Sequence, residues 1–388
     1  FGGFKPYGDN ALYEIEKFAF FSKAALSILP IIDFKPDLIH CHDWQTGLIP
    51  VYLKERFQGN DFYRGIKTVM TIHNLKFQGV WDVKTMQGLT GFSSDLFTAD
   101  KLEFNKDANM LKGGIAYSNK VTTVSNTYAW EIQTEEYGEG LAEHLRYHNN
   151  KILGIVNGID TDIWNPATDK LLAADYDEKS AIKNKKINKK ALQESLGLDV
   201  DEHKMVIGLI SRLTNQKGLD LVNRVIEQIL DENTQLVVIG TGEPRYENLF
   251  KHFQWKYPDR VSANIFFSEQ RAHKLYAAAD AMLVPSRFEP CGLTQLIALR
   301  YGTIPIVRET GGLKDTVSPY NEYENSGNGF SFGNYDSYDM LNVINYAKTI
   351  YFTQNEKWQE IIIRAMKSDF SWNYSADQYA GMYNWLSN

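Results

Sequence analysis

The sequence is poor in cysteine, with only Cys41 and Cys291 in 388 residues. Two cysteines so far apart argue against a disulfide scaffold and fit a reducing compartment. The chain also lacks any apolar stretch near the ~20 residues that a membrane-spanning helix needs. Basic residues are in the minority, since 41 Lys and Arg stand against 48 Asp and Glu, for a formal net charge of −7. We therefore expect no membrane or nucleic-acid partner, because nucleic-acid-binding domains carry a basic face.

The composition that remains is ordinary for a globular enzyme, with 43% hydrophobic and 23% charged residues. A single hydrophobic core usually stops growing beyond ~250–300 residues, so the length predicts two domains. Because the net charge is negative, an anionic ligand would have to be bound by a few local Arg and Lys residues rather than by the field of the whole chain.

Short apolar runs rich in Val and Ile recur along the chain, without the clean alternation of strands that have one face in water. Such runs are typical of strands covered on both faces, as in parallel sheets. In the first half they cover residues 37–42, 67–72, 121–124 and 152–156. In the second half they cover residues 205–210, 236–239, 265–267, 281–284 and 304–307.

Helical patterns fall between these runs. Apolar residues from 219 to 230 keep a spacing of three or four, and residues 274–279 have the composition of a helix. Strands that alternate with helices predict an α/β fold. The stretch 160–200 separates the two sets of strands, and we place a domain boundary near residues 157–164. That stretch carries a basic run, which we interpret as a solvated helix face rather than an anion-binding patch: Lys183, Lys185, Lys186, Lys189 and Lys190.

Polar residues follow several of the predicted strands. Arg212 and Lys217 lie in one loop before a helix that starts near Gly218. Such a pair fits a phosphate site, because Arg grips two oxygens, Lys supplies a point charge and the helix N-terminus adds positive potential. Two solvated surface cations are the alternative, and the spacing alone does not decide between these interpretations.

The strand at 281–284 is followed by Glu289 and Cys291. Glu289 is placed to accept hydrogen bonds from sugar hydroxyls or to stabilise a developing positive charge; the alternative is an acid that complements a helix dipole. Cys291 has no identifiable base partner, and we interpret it as structural or as a close neighbour of a ligand. After the strand at 304–307, Thr310 and Gly311 allow a backbone to approach an anion closely, although a simple turn explains them equally well.

The first half contains a histidine pair at His40 and His42, which would share one face of a strand. The pair looks metal-like, but nothing nearby completes a tetrahedral set, so a zinc site is the poorer interpretation. His73 follows the strand at 67–72, where it fits either a hydrogen bond to substrate or a satisfied core histidine.

Six segments together resemble, in order and spacing, the bacterial glycogen synthase and plant starch synthase family. They are 41–47 (CHDWQTG), 71–75 (TIHNL), 157–160 (NGID), 211–218 (SRLTNQKG), 287–295 (RFEPCGLTQ) and 310–313 (TGGL). The similarity runs from about Tyr7 to the C-terminus. The segment around Glu289 is highly specific, whereas the shorter segments are informative mainly as a set.

The resemblance implies a fold and an activity. The fold is an α/β glycosyltransferase-B architecture, with two Rossmann-like lobes whose parallel sheets flank a cleft. We expect an N-terminal lobe at 1–158, a nucleotide-sugar lobe at 159–365 and a C-terminal helical segment at 366–388 that packs back on the first lobe. The implied reaction transfers glucose from ADP-glucose to the non-reducing end of an α-1,4-glucan, with retention and without a metal or cofactor. Either bacterial cytoplasm or a plant plastid is the expected location.

The resemblance also implies roles for individual residues. Arg212 and Lys217 would bind the diphosphate and stabilise the departing ADP, and Glu289 would lie beside the glucose. His73 and Asp43 would reach the glucose from the first lobe. The other expected substrate-binding residues are Asn157, Phe267 (stacked on adenine), Cys291, Gly292, Leu293, Thr294, Thr310 and Gly311.

Two departures bear on these expectations, one from the pattern of related glycosyltransferases, which is usual in the synthase family, and one from the pattern of the synthase family itself. Related glycosyltransferases often carry a second glutamate eight residues after the first; here that position is Ile297, which argues against a mechanism with paired carboxylates. A Lys-x-Gly-Gly-Leu segment opens the family's first lobe and has no copy here, so we expect the opening strands to be missing. The missing segment motivates one alternative, a catalytically impaired fragment that binds nucleotide sugar or glucan. The other alternative is a UDP-glucose-dependent retaining transferase of the same architecture, which the sequence does not separate from an ADP-glucose-dependent one because base contacts are few.

Overall fold

A computed structural model describes residues 10–387, so Tyr7, where the family resemblance begins, lies outside the described residues. The described chain forms two compact units. One runs up to Val156 and is joined by the residues from Ala376 onward, and the other is Asn157–Ser375. Among residues 10–387, none of the helices is long and apolar enough to cross a bilayer.

The first unit is built on a parallel sheet of four strands. The strands of the unit, including those of a second, small sheet, are β1 (Leu38–His42), β2 (Lys67–Ile72), β3 (Val80–Asp82), β4 (Glu103–Phe104), β5 (Asp107–Asn109), β6 (Lys120–Thr123) and β7 (Ile152–Gly154). The parallel sheet has the order β1-β2-β6-β7, and a small antiparallel sheet has the order β3-β5-β4. The helices of this part of the chain are α1 (Ala11–Ser27), α2 (Leu48–Tyr52), α3 (Val83–Thr90), α4 (Met110–Tyr117), α5 (Asn126–Glu131) and α6 (Ala142–Tyr147).

The second unit is built on a parallel sheet of six strands. They are β8 (Met205–Ile210), β9 (Thr234–Ile239), β10 (Val261–Asn264), β11 (Ala281–Val284), β12 (Ile304–Arg308) and β13 (Phe330–Phe332). Its helices are α7 (Ala181–Leu196), α8 (Leu219–Ile229), α9 (Pro244–Lys256), α10 (Glu269–Ala278), α11 (Thr294–Arg300), α12 (Gly311–Thr316), α13 (Ser337–Thr353) and α14 (Asn355–Met366). A last helix, α15 (Trp372–Ser387), starts in this unit and continues in the first.

The strand order of the second unit is β10-β9-β8-β11-β12-β13. The chain thus builds the sheet outward from β8 in one direction, then returns to the other side of β8 with β11. In open parallel sheets this switch point opens a crevice at the carboxyl ends of the two strands, where ligands bind. The loops after β8 and β11 are therefore the first place to look for a site.

The predicted α/β class is confirmed, and most predicted strands lie within a residue or two of the observed ones. The strand at 265–267 is wrong. The strand of this region is β10, which ends at Asn264 and pairs with β9 from Val261↔Leu236 onward. Because β10 is an edge strand, it does not need a continuous apolar run, whereas Phe266 and Phe267 lie exposed in the following loop.

The interpretation of the lysine run as a solvated face is also wrong in part. Lys183, Lys186 and Lys190 are exposed on α7, but Lys185 and Lys189 are 6% and 2% exposed. Lys189 pairs with Asp280 at 2.7 Å. Burial lowers the pKa of Lys185 to about 7. Its Nζ donates to the carbonyl oxygens of Ala277 and Tyr301 and to the Thr303 hydroxyl. These partners replace the water that a buried ammonium would lose.

Leu283 tests the contribution of the second sheet, because it lies on the central strand β11 and is 2% exposed. We expect Leu283→Ala to lower the free energy of unfolding of this unit by about 2–5 kcal/mol, through lost burial and the cavity left behind. The matched control Leu171→Ala removes the same atoms from a side chain that is 36% exposed. Urea unfolding would contradict this account if both variants lost the same stability.

Candidate active site

The switch point brings together the predicted residues of two different loops. Arg212 and Lys217 follow β8, and Glu289 follows β11. The two strands are hydrogen-bonded neighbours, with Ala281 opposite Ile207 and Met282 opposite Gly208. Since both run in the same direction, their carboxyl ends meet at one edge of the sheet.

An ion pair connects the two loops. Lys217 Nζ lies 2.5 Å from Glu289 Oε2, and the two side chains are only 17% and 11% exposed. The Ser286 hydroxyl donates to the same carboxylate oxygen at 2.9 Å. Partners of this kind offset the hydration that a carboxylate loses this far from water. The arrangement therefore fixes a negative charge in one orientation beside a positive one.

The backbone of the two loops is in close contact around this pair. Gly218 has a φ of +69°, and a Cβ at this position would lie 1.9 Å from the carbonyl oxygen of Pro285. The Arg287 N–H donates to the carbonyl oxygen of Gln216 at 2.8 Å. Glycine is required at 218 both for the left-handed conformation and for this close approach. Lys217 is thus held against the loop that carries its partner.

A pocket of about 200 Å³ opens at this edge of the sheet. Of the predicted residues it is lined by Arg212, Lys217, Glu289, Gly292, Leu293 and Thr294. Within the described residues, Glu289 supplies the pocket's one carboxylate, whereas Arg212 and Lys217 supply two cations. The pocket therefore combines a local positive excess with a fixed acid.

Thr310 and Gly311 lie behind the Glu289 loop and do not line this pocket. Gly311 has a φ of +44°, and a Cβ there would lie 2.0 Å from the carbonyl oxygen of Glu289. The N–H of Gly312 donates to the same oxygen at 3.1 Å. In this structure the Thr-Gly-Gly turn supports the backbone that carries Glu289.

Cys291 and Asn157 are neighbours beside the pocket. Cys291 is 6% exposed, and the backbone N–H of Asn157 lies in hydrogen-bonding range of its sulfur. Burial raises the pKa of the Cys291 thiol to about 12. Since the thiolate is the nucleophile, a thiol this hard to ionise packs against the site rather than attacking a substrate. Phe267, by contrast, is 84% exposed in the loop after β10 and is not among the pocket-lining residues.

Asp43 and His73, the two expected site residues of the first unit, contact each other. The backbone N–H of His73 donates to Asp43 Oδ1 at 2.7 Å. Burial raises the pKa of the Asp43 carboxyl, against the opposing effect of backbone N–H donors from His73 and Asn74. Asp43 has a φ of 56°, a strained value for a residue that is not glycine. Strain of this kind is common at functional sites.

Sequence reasoning did not assign three polar residues that line the pocket of the second unit: Ser211, Ser286 and Gln295. Ser286 orients Glu289, and the Gln295 amide donates to the carbonyl oxygens of Cys291 and Gly292. Ser211 directly follows β8, Ser286 lies just after β11 and Gln295 lies in the first turn of α11, and these positions were the available signal. A serine or glutamine has no distinctive chemistry until its partner is known.

Comparisons with known proteins agree with this geometry. The family model described as the starch synthase catalytic domain matches residues 1–147, and the model described as glycosyl transferases group 1 matches residues 191–365. Glycogen synthase from Lachnospira eligens is 61% identical over 387 residues, which cover all of this chain and 80% of that protein. The chain belongs to the glycogen synthase family. It is a glycosyltransferase with the glycosyltransferase-B type of fold.

Other relatives of this family member extend the comparison. Glycogen synthase from Lachnoclostridium phytofermentans is 56% identical, over all of this chain and 80% of that protein. The catalytic domain of starch synthase IV from Arabidopsis thaliana, solved with ADP and acarbose bound, has a TM-score of 0.90 and 37% identity, covering 98% of this chain and 78% of that one. Sucrose-phosphate synthase from Thermosynechococcus elongatus shares the fold at a TM-score of 0.61 and 18% identity, covering 96% and 78%.

The reactivity of the two cysteine thiols tests how well each one is buried. Burial raises the pKa of both Cys41 and Cys291 to about 12. Because only the deprotonated form reacts, a thiol with this pKa is about one part in ten thousand thiolate at pH 8. We expect the native chain to release almost no colour from Ellman's reagent at pH 8, and both thiols to react once urea unfolds it. Rapid reaction of one thiol in the native protein would contradict this environment.

Proposed function

We propose that this member of the glycogen synthase family transfers glucose from ADP-glucose to the non-reducing end of an α-1,4-glucan, with retention at the anomeric carbon. The observation that carries the proposal is the convergence of Arg212, Lys217 and Glu289 on one pocket at the switch point. Support comes from the bacterial relatives named glycogen synthase and from the Arabidopsis relative bound to ADP and acarbose. These bacterial relatives also support a cytoplasmic site of action.

The leaving group explains the need for two cations. When the bond to glucose breaks, negative charge grows on the diphosphate of ADP, and fixed donors stabilise it without reorganisation. The ammonium of Lys217 has three N–H donors, of which Glu289 takes one, so others remain for phosphate oxygens. The planar Arg212 side chain adds a two-pronged donor at the same pocket. In this scheme neither a metal nor a cofactor takes part.

Glu289 would act on the sugar rather than on the phosphate. A glucosyl group that has lost its bond to phosphate develops positive charge at the ring oxygen and anomeric carbon, and a fixed carboxylate beside it lowers the energy of that state. The position eight residues later is Ile297, which is 6% exposed on α11. The proposed mechanism therefore uses one carboxylate in this pocket, with the departing diphosphate on the same side of the sugar.

The reaction itself is the first test. Labelled glucose from ADP-glucose should enter glycogen when the purified protein is supplied with both, and a parallel assay with UDP-glucose should show weaker transfer. Absence of label in polymer from either donor would overturn the proposed function. Label transferred preferentially from UDP-glucose would overturn the assignment of the donor.

Substitution of either cation or of the carboxylate should lower kcat far more than substitution of an exposed residue elsewhere. We expect Arg212→Ala and Lys217→Ala each to lower kcat by about 100- to 1,000-fold, the usual effect of removing one preorganised electrostatic donor. Glu289→Gln keeps the shape of the side chain and should reduce kcat at least as much.

The matched control is Lys251→Ala, which removes a lysine that is 55% exposed and pairs with Glu247 at the looser distance of 3.9 Å. It should retain full activity. Equal activity of Lys217→Ala and Lys251→Ala would remove Lys217 from the proposed mechanism.

A further inference from the structure

Three histidines of the first unit form a connected row. His40 and His42 lie on the same face of β1, with their rings stacked at a centroid distance of 4.3 Å and an interplanar angle of 24°. His73 follows β2, and its Nε2 lies 2.9 Å from Nδ1 of His42. The register explains this proximity, because His42 is opposite Thr71 and the chain reaches His73 two residues later.

The far end of the row is anchored at both nitrogens of His40. Nδ1 lies 2.6 Å from the hydroxyl of Tyr383 on α15, and Nε2 lies 2.6 Å from Thr71 Oγ1. Thr71 Oγ1 in turn lies 2.5 Å from Thr122 Oγ1 on β6. Burial lowers the pKa of His40 to about 4, so the ring is neutral and has one donor and one acceptor. Hydroxyl groups satisfy either need, and the ring is held in one plane.

The middle ring, His42, is different because it is exposed. Its backbone is fixed, since its N–H donates to Thr46 Oγ1 at 2.7 Å and its carbonyl accepts from the same hydroxyl at 2.8 Å. Its ring is covered only in part, by the rings of His40 and His73. The stack on His40 and the contact with His73 are therefore what orient the imidazole.

The contact between His42 and His73 also constrains protons. A hydrogen bond between two imidazole nitrogens needs a proton on one of them and a lone pair on the other. Partial loss of hydration where the ring packs against its neighbours, and the adjacent His73, both lower the pKa of His42 and so favour its neutral form. The tautomer of His42 therefore determines whether Nε2 of His73 is a donor or an acceptor.

We propose that His42 is a positioning residue that sets the ring orientation and tautomer of His73, and that His40 with Tyr383 of the last helix holds His42 in place. This inference rests on the proposed function and on the role that the family resemblance implies for His73, a contact with the transferred glucose. It deepens that function by making the residues of α15 part of the support for a sugar-binding side chain. His42 itself would act through His73.

Kinetics of paired variants test the proposal. His42→Leu removes the ring nitrogen and the stack, and we expect kcat to fall by about 10- to 100-fold with less change in KM, as for other losses of substrate orientation. His42→Asn places an amide near the position of Nδ1 and should recover most of that loss. Tyr383→Phe deletes only the hydroxyl on His40 and should lower kcat in the same direction by a smaller factor.

The control is His203→Leu, since the His203 side chain is 86% exposed in the second unit and should be replaceable without loss. All four variants should melt within a few degrees of the parent protein. A His42→Leu variant with the kinetic constants of His203→Leu would overturn the proposal, as would failure of His42→Asn to recover more activity than His42→Leu.

A second measurement does not depend on catalysis. In protein labelled with ¹⁵N-histidine, long-range proton–nitrogen correlations report which ring nitrogen of His73 carries the proton, and His73→Gln identifies its signals. We expect His42→Leu to shift the nitrogen resonances of His73, and His203→Leu to leave them unchanged. Unchanged His73 resonances in His42→Leu would overturn the proposal. If the parent protein transferred no glucose, the proposed function would fail, and this spectrum would still decide the role of His42.

Discussion

The ion pair between Lys217 and Glu289 is the interaction on which the second unit's site depends. It joins residues 72 positions apart in the chain because β8 and β11 are neighbours at the switch point of the sheet. Each charge offsets part of the hydration that the other has lost, since a mostly buried ion without a partner costs several kcal/mol. The close approach of Gly218 to Pro285 and of Gly311 to Glu289 then restricts the backbone on both sides of the pair.

This constraint explains how a chain with a net charge of −7 would bind the anionic donor of the proposed reaction. The positive charge is local, supplied by Arg212 and Lys217 at one pocket, and Glu289 is fixed beside it. The buried Cys291 lies in the loop that carries Glu289, and the Gly311 turn packs against that loop. In the first unit, neighbouring groups also hold a predicted site residue in place. Asp43 accepts a hydrogen bond from the backbone N–H of His73, and the row of imidazoles orients the His73 ring.

Much of this was predictable from the sequence, and the exceptions have physical reasons. Apolar runs such as 205–210 and 281–284 coincide with β8 and β11 because central parallel strands are buried on both faces. The run at 265–267 misled because β10 is set by its hydrogen bonds to β9, and its own sequence, Val-Ser-Ala-Asn, is not a continuous apolar run. Lys185 and Lys189 were missed because a buried lysine differs from a solvated one only in partners that lie far away in the chain, such as Tyr301 and Asp280.

The candidate site was likewise predictable only in part. That Arg212 and Lys217 follow one strand and Glu289 another is visible in the sequence, and the family resemblance assigned them roles. The contact of 2.5 Å between Lys217 and Glu289 depends on the strand order, which no local pattern records.

The most direct test of the account is a crystal structure of the protein with ADP bound. We predict diphosphate oxygens within hydrogen-bonding distance of Arg212 and Lys217 at the ends of β8 and β11. ADP bound elsewhere, with neither side chain in contact, would contradict the account.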